Sequence, residues 1–204
     1  LLNRDLTKMG SLCEEALALA AKALANADGQ TAAKIAPIDS EIDQMERTIE
    51  SLCLKLLLQQ QPVARDLRQI SAALKMITDM ERIGDQASDI AEIIGFLNGR
   101  IGTDAQYICQ MAVAAMRMVT ESVEAYVKRD VAMAEATIQH DDVVDDLFLK
   151  VKESLIQMIS ENPKDGEYAL DLLMIAKYFE RIGDHATNIA EWVVFSVTGV
   201  HEQG

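Results

Sequence analysis

The sequence predicts an all-α protein: two tandem three-helix bundles related by an internal repeat, six long antiparallel helices in all. Three observations carry this. Apolar residues recur every three to four positions along most of the chain, the period of an amphipathic helix. Turn formers are scarce, with 10 Gly and 3 Pro in 204 residues, too few to punctuate many short strands. A thirteen-residue stretch occurs twice: 80–92 reads MERIGDQASDIAE and 179–191 reads FERIGDHATNIAE, with nine of thirteen positions identical.

The first helix is the stripe Leu2, Leu6, Met9, Cys13, Ala16, Ala20, Leu24, ended by Asp28-Gly29. The second is Ile35, Ile38, Ile42, Met45, Ile49, Leu52, Leu56, closed by Gln61-Pro62; Pro37 implies a kink or a late start. The third runs Met76, Met80, Ile83, Ala87, Ile90, Ile94, Leu97 and stops at Asn98-Gly99. The order then repeats. Helix four is expected over 104–128, helix five over 131–160 before Asn162-Pro163 and Asp165-Gly166, and helix six over 167–197. Residues 1–100 form the first repeat and 101–204 the second, within one continuous elongated protein. A weaker echo pairs IDSEIDQM (38–45) with HDDVVDDL (140–147).

Composition narrows the function. With 19 Lys+Arg against 33 Asp+Glu the net charge is −14, which repels a phosphate backbone and argues against nucleic-acid binding. No apolar run approaches the roughly 20 residues a membrane span needs, so membrane insertion is not expected. Cys13, Cys53 and Cys109 have no CxxC spacing and read as buried reduced thiols, in keeping with a cytoplasmic location. Trp192 and the Met-rich stripes read as core.

The chemistry lies in paired acids. Glu81/Asp85, Glu180/Asp184, Asp39/Asp43 and Asp141/Asp145 are each four apart, which stacks two carboxylates on one helix face. Like charges so placed cost roughly 0.2–0.5 kcal/mol per pair. Four pairs at matching places in two repeats need an offsetting gain, and a bound cation supplies one. Chain reversals near Pro62 and Pro163 bring the helix-two acids level with the helix-three acids, and the helix-five acids level with the helix-six acids. Four carboxylates then line an outer groove in each half, a ligand set for Mg²⁺, Ca²⁺, Mn²⁺ or iron. Asp89 and Asn188 continue these faces one turn on and complete the candidate metal ligands. The plain alternative is a solvated acidic face.

Gly84 and Gly183 sit mid-helix inside the motif, at about 1 kcal/mol against Ala. Close helix approach explains them, or room for a ligand. Arg82 and Arg181 are expected to pair with nearby carboxylates rather than bind phosphate. His140, His185 and His201 fit no Glu-x-x-His motif, and no catalytic group or phosphate loop is nominated. The chain is therefore read as a non-enzyme. A carboxylate-bridged metalloenzyme is the first alternative and a metal-free helical scaffold the second.

The two ERIGD stretches, each on the last helix of a repeat, resemble the PhoU family of phosphate-signalling proteins. So do Pro62 followed by Asp66-Leu67-Arg68, and the Asp39/Asp43 pair. The resemblance covers essentially the whole chain. It implies multinuclear metal on the acidic motifs, iron first, with magnesium, manganese, zinc or calcium as alternatives. It also implies a negative regulator of phosphate uptake and phosphate-starvation signalling in the cytoplasm, an adaptor between the phosphate ABC transporter, through its ATPase subunit PstB, and the sensor histidine kinase PhoR. A homodimer is a further implication. Asn188 stands where the first half has Asp89, so the two metal sites are expected to differ in affinity or nuclearity.

Overall fold

The computed structural model describes residues 1–100 and 105–201, and among these every regular element is helical. The long helices are α1 (Leu2–Asn26), α3 (Ile35–Gln59), α4 (Ala64–Phe96), α5 (Gln106–Lys128), α7 (Asp141–Glu161) and α8 (Gly166–Thr198); two short ones, α2 (Gly29–Ala33) and α6 (Val131–Gln139), are interposed. The expected apolar stripes are the buried ones. Leu6, Met9, Cys13 and Ala16 on α1, Ile38, Ile42 and Ile49 on α3, and Met76, Met80 and Ile83 on α4 are all in the core. The start of helix four expected at 104 lies outside the described residues; α5 begins at Gln106.

Helix five departs from expectation. The span 131–160 is not one helix but α6 and α7, separated at His140. The same break separates α2 from α3 at Lys34 in the first repeat. Caps explain both. Asp28 accepts from the Gln30 N–H at 2.9 Å and the Thr31 hydroxyl at 2.6 Å, nucleating α2 after Ala27 turns left-handed (φ 48°). Asp130 does the same for α6 through the Met133 N–H at 3.0 Å, after Arg129 (φ 56°). Pro37 falls in the first turn of α3, where its missing N–H leaves no bond unmade. Each repeat is thus long, short, long, long, and each short helix delivers the chain to an acid-bearing helix.

Within each repeat the long helices pack on one another: α1, α3 and α4 in the first, α5, α7 and α8 in the second. Between repeats, α1 lies against α5 and α4 along α8. Gly10 allows the first of these approaches, since a Cβ there would sit 3.0 Å from Val123 Cγ2. The Tyr126 hydroxyl, on α5, donates to the Gln69 carbonyl of α4 at 2.8 Å. His185 Nδ1 and Asn188 Nδ2 of α8 meet Asp79 Oδ1 of α4 at 2.9 and 3.3 Å. One hydrophobic core therefore runs through both halves. Among the described residues no helix is long and apolar enough to cross a membrane.

Candidate metal centres

The acid pairs meet between α3 and α4, and again between α7 and α8. In the first half Asp39, Asp43 and Asp85 bring carboxylate oxygens within 4.8 Å of one another. Asp43, Glu46 and Glu81 form a second such group, sharing Asp43. In the second half Asp141, Asp145 and Asp184 form one group, equivalent residue for residue to the first trio. All the acids of the two first-half groups are half-buried, while Asp145 and Asp184 are exposed and Asp141 is half-buried.

The glycines explain how the helices come this close. A Cβ on Gly84 would lie 2.8 Å from Asp39 Oδ1 and 3.0 Å from Ile42 Cδ1. A Cβ on Gly183 would lie 2.9 Å from Asp141 Oδ1 and 3.3 Å from Val144 Cγ1. Close approach and room for a ligand are therefore one feature, because what each glycine admits is the carboxylate of the facing helix.

Those oxygens have nothing to bond. Asp39 Oδ2 accepts from the Ser88 hydroxyl at 3.0 Å, but Asp39 Oδ1, Asp43 Oδ1 and Asp141 Oδ1 are buried without a hydrogen-bond partner. An unpaired buried carboxylate oxygen is costly, and without compensation the group gives up its charge. Burial, only partly offset by the Ser88 bond, raises the Asp39 carboxyl to about 6, with Asp85 and Asp43 adding repulsion. Burial and the neighbouring Asp145 and Asp184 raise Asp141 to about 7. Burial, with the hydrogen bond and charge of Asp85, raises Glu81 to about 8. Burial is also the first cause raising Glu46 and Asp89, and for the more exposed Asp145 and Asp184 it is the partial loss of water against the facing helix. Oxygen-rich, mutually repelling and orphaned, this donor set fits a hard cation. Asp39, Asp43, Glu46, Glu81 and Asp85 would hold it in one half, and Asp141, Asp145 and Asp184 in the other.

Three expected ligands stand outside these groups. Glu180 is ion-paired to Lys177. Asn188 is turned to Asp79 on α4. Asp89 lies beyond Asp85 and feels the charges of Asp85, Glu92 and Arg181. Conversely, Glu46 joins the site although it falls outside the four-residue spacing. The readable signal was Asp43-x-x-Glu46, since a spacing of three also shares a helix face. Arg82 lies 4.0 Å from Glu81, as expected of a carboxylate partner, whereas Arg181 lies over the Tyr178 ring. Trp192 is only half-buried, stacked on His201 at 4.0 Å. A broad apolar groove, lined by Cys109, Val113, Val143 and Leu147 between α5 and α7, contains none of the acids.

Comparison with known proteins gives a family match over most of the chain. The family model described as PhoU domain matches twice, over residues 6–94 and 108–193. A phosphate-specific transport system accessory protein PhoU homolog of Clostridium acetobutylicum is 36% identical over 200 residues, covering 97% of this chain and 91% of that protein. The homolog of Pseudomonas aeruginosa is 35% identical, covering 95% and 81%. The crystal structure of PhoU from Pseudomonas aeruginosa superposes with a TM-score of 0.92 at 34% identity, covering 98% of this chain and 96% of that one. That of the phosphate transport system regulatory protein PhoU from Streptococcus pneumoniae gives 0.86 at 25% identity, covering 99% and 96%. With both repeats matched and the helices superposed end to end, the chain belongs to the PhoU family.

Proposed function

We propose that this protein is a cytoplasmic accessory regulator of a phosphate-specific transport system, restraining phosphate uptake and the phosphate-starvation response. Its relatives named for that system share its whole length, which supports the role. The carrying observation for the site is the pair of orphaned, glycine-admitted carboxylates, Asp39 over Gly84 and Asp141 over Gly183. A bound cation, iron first and then manganese, magnesium, zinc or calcium, would satisfy them and offset the repulsion within each group. When bound, it supplies positive charge and coordination positions that a partner's phosphate or carboxylate can occupy. The chain's own residues hold that cation between two helices and keep those helices at fixed separation.

This is an adaptor rather than an enzyme. The acids lie along a helix–helix seam rather than around a substrate cavity. Its partners are the transporter ATPase subunit PstB and the sensor kinase PhoR, with self-association through a helix face as an additional contact. The test is co-purification of the tagged chain with PstB and PhoR from phosphate-replete bacteria, alongside a phosphate-starvation reporter in a strain lacking its own PhoU. We expect both partners to be retained and the reporter silenced. Recovery of neither partner, with the reporter still active, would refute the adaptor role.

A further inference from the structure

We infer that the two halves hold unequal numbers of cations: the first half two, bridged by Asp43, and the second half one, its other position being filled permanently by the Lys177 ammonium. This rests on the cation-binding reading above and adds to it an assignment of which positions take metal.

The repeat allows each ligand to be compared with its counterpart. Asp39, Asp43 and Asp85 correspond to Asp141, Asp145 and Asp184, and both trios converge. The second group of the first half, Asp43, Glu46 and Glu81, corresponds to Asp145, Phe148 and Glu180, which does not converge on a site. Two substitutions account for the loss. Phe148 replaces the Glu46 carboxylate with a ring. Lys177 stands where the first half has Thr78, whose hydroxyl only returns to the Leu74 carbonyl of its own helix at 3.4 Å.

Lys177 occupies the vacated position physically. Its ammonium is ion-paired to Glu180 and stands 5.4 Å from the Phe148 ring centroid. It therefore sits between the counterparts of Glu46 and Glu81, held by the remaining carboxylate on one side and by the ring face on the other. A tethered monovalent cation thus does for Glu180 what a metal ion does for Glu81. Among the described residues Glu81 has no such lysine; its one ion-pair partner there is the largely exposed Arg82, at 4.0 Å.

The experiment is equilibrium dialysis of the full chain against Mn²⁺ with metal counted per chain. Three ions are expected for the wild type. D141N/D145N/D184N should leave two, and D39N/D43N/D85N should leave one. Adding E46Q to the former should lower two to one. Adding F148E/K177T to the latter should raise one to two. K177T alone, which leaves the Phe148 packing untouched, should also admit a second ion there at lower affinity, and circular dichroism checks that each variant folds. Equal occupancy of the two halves, or counts unmoved by both K177T and F148E/K177T, would overturn the inference while leaving cation binding intact. A wild type that binds no Mn²⁺ would overturn both readings.

Discussion

Stripped of cations, the protein should lose stability as the pH rises through neutrality, in the direction opposite to ordinary acid denaturation. Three carboxyls dominate. Asp39 goes from 3.8 to about 6, Asp141 from 3.8 to about 7, and Glu81 from 4.5 to about 8. A carboxyl with a raised folded-state pKa binds its proton more tightly in the fold than in the unfolded chain. Its contribution is complete below the unfolded value and is lost as pH climbs through the folded value. Full conversion at about 1.4 kcal/mol per pKa unit overstates the effect, because these groups are half-exposed and screened; on the order of 1 kcal/mol each is the appropriate scale. Together they amount to about 3 kcal/mol, and for a chain of this size each kcal/mol moves Tm by about 2–4 °C. Part of each contribution is already lost below pH 5, so about 2 kcal/mol falls within the window, and EDTA-treated protein should melt about 4–8 °C lower at about pH 8 than at about pH 5, at constant ionic strength. Saturating Mn²⁺ should remove most of that slope, because the cation favours the ionised form. The variant D39N/E81Q/D141N should be nearly flat without metal. A metal-free Tm that stays constant or rises over this window, or a variant as steep as the wild type, would refute the reasoning.

Other expectations are simpler to check. Gly84→Ala and Gly183→Ala each push a methyl into a facing aspartate, and overpacking of this kind costs about 1–3 kcal/mol against a propensity gain of about 1 kcal/mol. Each should weaken Mn²⁺ binding in its own half, read by calorimetric titration. Gly95→Ala on the same helix α4 has nothing within 4 Å of the new Cβ and should be neutral or stabilising. Tyr126→Phe deletes the bond to the Gln69 carbonyl that crosses the two halves, and should cost about 1 kcal/mol in urea unfolding. Cys13 and Cys53 are buried, with burial pushing their thiols to about 12 and about 11; native protein should leave both unlabelled by a thiol reagent until it unfolds.

Much of this architecture was legible because it is periodic. The stripes on α1, α3 and α4 are largely the buried faces, and the matched acids, Glu180 apart, converge across their helices. The break at His140 was hidden because Met133, Thr137 and Val144 continue an uninterrupted helical stripe past it. The cap at Asp130, one residue after a left-handed Arg129, marks only the start of α6, which was expected; the break at His140 has no side-chain cap to announce it. Wheel geometry on single helices puts Asp89 and Asn188 in line with the other acids but says nothing of which helix from the other repeat lies opposite. Asn188 finds Asp79 on α4, and that α4–α8 seam has no local signature. Glu46 lies three residues from Asp43, not four, a spacing that shares a helix face equally well but does not recur in the second repeat, where Phe148 stands in its place.

The seam between the repeats joins like to like, α1 to its counterpart α5 and α4 to its counterpart α8. Surfaces matched in that way are self-complementary, as in a twofold-symmetric dimer. This protein is in effect such a dimer written as one chain. Tethering makes the association intramolecular, with an effective concentration on the order of millimolar for a short connection, so the two halves need not find each other in solution. It also removes the obligation of symmetry. In a true homodimer Phe148 and Lys177 would have appeared on both sides and closed both second positions; in a concatenated one, a single side could be re-equipped while the other kept its full complement of acids.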